Sequence, residues 1–168
     1  FHKLFSKKII ELLPFIDNPK INTYESNTQI SDIIRIGFLG RLSEEKGLID
    51  LIKASEIMQN KKINHKIKIA GDLKDSRFYR NINNLLKFSS NNLHVQFIGK
   101  LTENEKHIFF QSIDILVLPS INSFEAFGLV QLEAMSYGKP VIASNLKGVR
   151  IPIKYTGNGL LYEKGNVE

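Results

Sequence analysis

The sequence predicts an α/β domain in which a parallel sheet carries helices on both of its faces. Short apolar runs rich in β-branched residues alternate along the chain with segments of helical periodicity. Strands separated by single helices form βαβ units, whose right-handed crossovers bring the strands parallel. With 168 residues, 42% of them hydrophobic, the chain can bury one sizeable core but not two of ordinary size.

Each element is predicted from its local pattern. A Lys-rich opening followed by a polar, turn-forming stretch over residues 14–32 predicts a linker segment over residues 1–31, and the domain proper is expected over residues 32–168. Apolar runs bounded by turn residues predict strands over residues 33–39, 66–70, 93–98, 113–118 and 140–143, with a sixth over residues 159–162. Helical periodicity between these runs predicts helices over residues 47–60, 77–88, 103–112 and 127–137.

Composition excludes several classes of function. The net charge of +6 comes from 23 Lys and Arg interleaved with 17 Asp and Glu, which favours small anionic ligands or membrane surfaces. No basic stripe with interleaved aromatic residues is present, so nucleic-acid binding is not expected. A chain without cysteine has no disulfide, thiolate metal site or cysteine nucleophile. The four histidines show no metal-ligand spacing, and no apolar run approaches the ~20 residues of a membrane span.

The loops that follow the predicted strands are where a ligand is expected. In open parallel sheets, ligands bind beyond the carboxyl ends of the strands. Gly40, Gly71 and Gly99 each follow a predicted strand directly, and a glycine there lets the backbone turn sharply and lets a ligand come close. For any one of these glycines, ordinary turn formation is the simpler explanation.

The loop after the first strand carries two cations. Gly40 is followed by Arg41, whose planar guanidinium can bind a phosphate bidentately, and Lys46 supplies a point charge one loop away. Two cations at the mouth of a parallel sheet suit a diphosphate. The alternative is that both cations pair with Glu44 and Glu45 on the surface.

The loop after the fourth strand carries two carboxylates around a helix start. Glu125 precedes the predicted helix, Phe127, Gly128 and Leu129 open it, and Glu133 lies about two turns in, at ~1.5 Å rise per residue. Free backbone N–H groups of a first helical turn can receive phosphate oxygens. The carboxylates could then accept hydroxyl pairs from a sugar and a ribose. The alternative is two solvated glutamates on a helix surface.

Several segments together resemble the family 4 (group 1) retaining glycosyltransferases. The two glutamates separated by seven residues are that family's signature, and the resemblance covers about residues 33 to 165. The matching segments, in the family's order and spacing, are residues 40–41, 46–47, 123–129, 133–135 and 138–144. The resemblance implies a Rossmann-like domain, the C-terminal, donor-binding half of the GT-B fold.

Each matching position carries a role that the resemblance implies. Arg41 and Lys46 match the pair that holds the donor diphosphate, and the backbone of residues 127–129 matches the turn that contacts phosphate and sugar. Glu125 matches the carboxylate that binds hydroxyls of the donor sugar, and Glu133 matches the one that binds the ribose diol.

The loop after the fifth strand departs from the family pattern. Ser144 and Gly148 fall in this small-residue loop, where the family often has two adjacent glycines followed by a glutamate. Here Lys147 precedes Gly148, and Ile151 stands where the acid is expected. Residues 147–151 are therefore not assigned to the site.

The resemblance implies transfer of a hexose-type sugar, with retention, from a nucleoside diphosphate sugar to a glycan or lipid-linked acceptor. It also implies a role in bacterial polysaccharide or lipopolysaccharide biosynthesis. No metal is expected, because two cations already bind the diphosphate, and no cofactor is expected. The full-length enzyme is expected in the cytoplasm, with peripheral association at the inner face of the membrane. The acceptor-binding N-terminal domain is expected to lie outside this chain, which alone is then inactive.

Three alternative functions are weighed beside the transferase. A non-catalytic nucleotide-binding α/β domain would bind the donor without transfer. A nicotinamide dehydrogenase needs a Gly-x-Gly-x-x-Gly turn after the first strand, which residues 37–40 do not supply. A phosphorylase of similar architecture needs a lysine-bound pyridoxal group, and no lysine stands out for that role.

Overall fold

Strands and helices alternate along the part of the chain that the computed structural model describes, which is residues 32–72, 78, 80–82, 84, 94–122 and 125–168. The strands are β1 (Ile34–Leu39), β2 (His65–Ala70), β3 (Val95–Gly99), β4 (Ile115–Leu118), β5 (Val141–Ser144) and β6 (Gly159–Tyr162). The helices are α1 (Leu48–Asn60), α2 (Glu103–Gln111), α3 (Val130–Ser136) and α4 (Ile151–Thr156), with a 3-10 turn at Glu44–Lys46. Residues 78, 80–82 and 84 are also helical, within the helix predicted over residues 77–88.

The six strands form one parallel sheet in the order β3-β2-β1-β4-β5-β6. Strands β1, β2 and β3 therefore follow one another toward one edge of the sheet, and β4 then lies on the other side of β1. Loops diverge at such a reversal of strand order and leave a crevice at the carboxyl ends of the two central strands. The predicted α/β class and parallel sheet are confirmed.

Helices cover the sheet on both faces and bury two apolar clusters. On one face, α1 packs its buried residues Leu48, Leu51 and Ile52 onto β1 and β2. On the other face, α2, α3 and α4 pack over β4 and β5. Their buried apolar residues are Phe109, Phe110, Ala134 and Ile153. The central strand β4 and its neighbour β5 are covered on both sides in this arrangement, which explains their near-continuous apolar sequences.

At the amino ends of the central strands, Arg35 of β1 pairs with Asp114. The guanidinium donates to both carboxylate oxygens at 2.9 and 3.0 Å, and the Arg35 backbone N–H adds a bond of 2.7 Å. Burial by itself would raise the pKa of Asp114, but the hydrogen bonds and charge of Arg35 outweigh it, and the pKa is lowered. This pair joins β1 to the start of β4 at the end of the sheet opposite the crevice.

The prediction for the start of α3 is wrong by three residues. The helix begins at Val130 rather than at residue 127, because Gly128 has φ of 70°, a left-handed conformation that a right-handed helix cannot include. Phe127, Gly128 and Leu129 therefore form a loop before the helix, and Glu133 falls in its first turn.

Helix α4 was not predicted, although the sequence carries a signal for it. Pro152 lies in its first turn, and Gly157 ends it with φ of 68°. Proline near the start and glycine just past the end are typical of a helix. The predicted linker over residues 1–31 lies outside the described residues. Among the helices described, none has the length and apolar character that crossing a bilayer demands.

Candidate functional site

The loops after β1 and β4 are held against each other at the reversal of strand order. Gly47 ends the 3-10 turn with φ of 68°, and a Cβ there would lie 1.7 Å from the carbonyl oxygen of Pro119. The backbone N–H of Ile121 donates to the carbonyl of Glu45 at 2.9 Å. No residue with a side chain fits at position 47 without moving the β4 loop. This close approach brings Lys46 beside Glu125.

Lys46 and Glu125 form an ion pair between the two loops. The ammonium Nζ donates to Oε2 of Glu125, and the side chains are only 16% and 14% exposed. Ser120, which is fully buried, donates from Oγ to the same carboxylate oxygen at 3.2 Å. Solvent screens so buried a pair weakly, and removing one partner would leave the other charge without its compensation.

Arg41 lies at the same crevice but is exposed. Its side chain is 71% exposed, and Nη2 donates to Oε1 of Glu45 at 3.3 Å. The alternative expected from the sequence, pairing with a neighbouring glutamate on the surface, is therefore correct for Arg41, which binds Glu45. Lys46 instead binds Glu125 and neither neighbouring glutamate. An exposed pair of this kind contributes about 0.3–0.5 kcal/mol, so the guanidinium can leave Glu45 for a ligand at little cost.

These side chains line a small cavity of about 80 Å³. Its lining residues are Arg41, Glu45, Lys46, Asn122 and Glu125. A larger cavity of about 430 Å³ shares Glu45 and Asn122 with it and extends to the loops after β5 and β6, where Leu146 and Lys164 line it. The cavity at the crevice thus combines two cations with two carboxylates, those of Glu45 and Glu125, and it opens toward further space along the carboxyl edge of the sheet.

Glu133 does not share this cavity. It is partly buried on α3, and its charge acts on Tyr137 at the end of that helix and on Lys106 of α2. Burial raises the pKa of Tyr137, and the charge of Glu133 raises it further. A hydrogen bond to Glu103 raises the pKa of Lys106 on α2, and Glu133 adds to this shift against the effect of burial. The structure therefore brings together Arg41, Lys46 and Glu125, and places Glu133 toward α2.

Gly40 and the loop before α3 lie at the same edge of the sheet. Gly40 follows β1 and donates its backbone N–H to the carbonyl of Ala70 at 3.1 Å. Gly128 is buried, whereas Leu129 is 50% exposed. The carbonyl of Phe127 accepts a side-chain hydrogen bond at 2.9 Å. Phe127, Gly128 and Leu129 do not line either cavity described above.

Two residues that sequence analysis did not select hold the β4 loop to the β5 loop. Gln131 is fully buried, and its Nε2 donates to the carbonyls of Phe127 and Val149, both at 2.9 Å. A Cβ on Gly148 would lie 1.7 Å from the carbonyl oxygen of Ala126. Gln131 interrupts the apolar stripe of a short helix, which was a usable signal. The contact of Gly148 joins two loops distant in sequence, and no local pattern shows it.

Comparison with known proteins gives the chain a family. The family described as "Glycosyl transferases group 1" matches residues 22–168. MJ1607 of Methanocaldococcus jannaschii, named an uncharacterized glycosyltransferase, is 35% identical over 141 residues, which are 84% of this chain and 35% of that protein. The capsular polysaccharide biosynthesis glycosyltransferase CapM of Staphylococcus aureus is 27% identical over 151 residues, which are 90% of this chain and 38% of that protein.

A solved structure shows the same fold. Anabaena Alr3699/HepE in complex with UDP superposes with a TM-score of 0.70 at 25% identity, over 81% of this chain and 36% of that protein. This chain spans about a third of the length of the relatives it matches. Because the family match over residues 22–168 includes the whole described sheet, the chain belongs to the group 1 glycosyltransferases.

Proposed function

We propose that residues 32–168 bind the nucleotide-sugar donor of a retaining glycosyltransferase that passes a hexose-type sugar to a glycan or lipid-linked acceptor. One observation carries the proposal: Arg41, Lys46 and Glu125 line a single cavity where the order of strands reverses. Two cations there match a diphosphate, and a carboxylate beside them matches sugar hydroxyls. The UDP bound by the Anabaena relative supports a nucleoside diphosphate as the ligand.

Arg41 and Lys46 both act on the diphosphate. As the bond from the sugar to the β-phosphate breaks, negative charge gathers on the departing diphosphate and positive charge on the anomeric carbon. Arg41 and Lys46 stabilise the former once they have turned from Glu45 and Glu125 to the diphosphate. Two cations at the diphosphate remove the need for a metal ion, and no cofactor takes part.

Glu125 is assigned to binding and not to nucleophilic attack. Its Oε2 is engaged by Lys46 and Ser120, which holds the carboxylate at the edge of the cavity as an acceptor for sugar hydroxyls. Retention then follows from attack on the face that the diphosphate leaves, with the departing phosphate taking the proton of the acceptor hydroxyl. In this proposal Glu133 holds the ribose diol, so the nucleoside extends from the cations toward α2.

The proposed acceptor is supported by a relative, and the cellular location of the enzyme is part of the same proposal. CapM is named for capsular polysaccharide biosynthesis, which supports a glycan or lipid-linked acceptor. The acceptor is bound by a separate N-terminal domain, and the whole enzyme works in the cytoplasm at the inner face of the membrane. A non-catalytic nucleotide-binding domain would bind the same donor, and only a transfer assay on the full-length enzyme separates the two.

A thermal-shift panel tests donor binding directly. UDP, GDP, ADP and their sugar derivatives are each added to the chain at millimolar concentration. A donor at 100 times its Kd stabilises the folded state by about 2.7 kcal/mol, and the melting temperature of a domain this size rises roughly 5–10 °C. We expect one base to give this shift and Arg41→Ala to abolish most of it. If no nucleotide moves the melting temperature, the proposal is wrong.

A further inference from the structure

We propose that Ser120 is a positioning residue, which holds the Glu125 carboxylate in place for the donor sugar once Lys46 turns to the diphosphate. The proposal rests on the function proposed above and adds a residue to it. Ser120 does not line the cavity and acts only through Glu125.

The hydrogen bonds of Glu125 are distributed unevenly between its two oxygens. Lys46 Nζ and Ser120 Oγ both donate to Oε2. Within the residues that the structure describes, no hydrogen bond is made to Oε1. One oxygen therefore fixes the orientation of the carboxylate, and the other is left for a ligand that lies in the cavity.

The two donors to Oε2 differ in how firmly they are held. Lys46 ends a 3-10 turn, and its ammonium stands on a flexible four-carbon stem. Ser120 lies two residues after β4, is fully buried, and follows Pro119, which is packed against the Gly47 backbone. A diphosphate carries more negative charge than one carboxylate and draws the mobile ammonium toward itself. Ser120 cannot move in the same way, so it remains on Oε2.

The change of partner makes the role of Ser120 depend on the ligand. In the empty site, loss of the Ser120 hydroxyl leaves Glu125 anchored by Lys46. In the donor complex, the same loss leaves the carboxylate without its fixed donor, and its contact with the sugar hydroxyls becomes looser. The nucleoside diphosphate alone makes no such contact, so its binding does not depend on Ser120.

The test compares Ser120→Ala with wild type by titration calorimetry against the nucleotide sugar and the matching nucleoside diphosphate. We expect Ser120→Ala to bind the nucleotide sugar roughly three- to tenfold more weakly, as for loss of one hydrogen bond, and the diphosphate equally well. Ser120→Thr keeps the hydroxyl and should recover most of the affinity for the nucleotide sugar. Ser55→Ala is the matched control, because it removes another buried serine hydroxyl, bonded to His65 at 2.7 Å and outside the cavity.

The outcomes separate this inference from the proposed function. If the wild type binds no nucleotide sugar, both are overturned. If the wild type binds it and Ser120→Ala binds it equally well, only the positioning role is overturned. Equal losses for the nucleotide sugar and the diphosphate would indicate a structural role for Ser120, and would also overturn the inference. Thermal unfolding of each variant without ligand shows whether it is folded.

Discussion

Replacement of Lys46 by methionine tests the ion pair on which the candidate site depends. Methionine keeps much of the length and apolar stem of lysine but removes the charge. Glu125, 14% exposed, is then left with Ser120 as its donor. Breaking a fully buried pair costs about 3–5 kcal/mol, and the remaining exposure and the Ser120 bond reduce this to about 2–3 kcal/mol here. The same variant loses one of the two cations that bind the diphosphate.

The assay is urea unfolding at pH 7, followed by circular dichroism. A loss of about 2–3 kcal/mol lowers the urea midpoint by roughly 1–2 M, for an m-value of about 2 kcal/mol/M. Lys53→Met is the matched control, because Lys53 is exposed on α1, and it should change the free energy of unfolding by less than about 0.5 kcal/mol. Arg41→Ala should behave like this control in stability, since its pair with Glu45 is exposed, but not in diphosphate binding.

A second substitution makes the test sharper. Glu125→Gln removes the charge that Lys46→Met leaves unpaired. It should therefore destabilise the wild type but stabilise the Lys46→Met variant, so its effect changes sign between the two backgrounds. The reasoning is refuted if Lys46→Met unfolds at the same urea concentration as Lys53→Met, or if Glu125→Gln has the same effect in both backgrounds.

Three further predictions concern other parts of the molecule. Glu133→Gln should weaken binding of the nucleoside diphosphate roughly tenfold and leave pyrophosphate binding unchanged in calorimetry, whereas equal losses would contradict a ribose role. Gly148→Ala places a Cβ 1.7 Å from the Ala126 carbonyl oxygen and should lower the free energy of unfolding in urea by about 1–3 kcal/mol. Gly40→Ala should change it little, because the nearest atom to its Cβ is a side-chain atom at 3.5 Å. Asp114→Asn should lower stability by about 0.5–1 kcal/mol at pH 7. Because the folded pKa of Asp114 lies below the ordinary aspartate value of 3.8, the stability difference should shrink as the pH falls below that value, and a constant difference would disprove the reasoning.

Local patterns were enough to predict the order and type of most elements. The strands were predicted from apolar runs that parallel pairing buries on both faces, and α2 was predicted to start at Glu103, where Thr102 and Glu105 form a capping box. The start of α3 was missed because the conformation of Gly128 depends on its packing, with a Cβ there meeting Leu118 at 2.4 Å. Helix α4 was missed although the signal was local.

The sequence by itself determined the α/β class, the parallel sheet and the loops that meet at its carboxyl edge, because these follow from periodicity and from the geometry of βαβ units. It also supplied the charges of the site. Only the tertiary structure decided how those charges pair. Arg41 binds Glu45 four residues away, Lys46 binds Glu125 across 79 residues, and Glu133 lies toward α2. Pairing across such a separation is fixed by backbone contacts such as that of Gly47 with Pro119, and no local pattern encodes it.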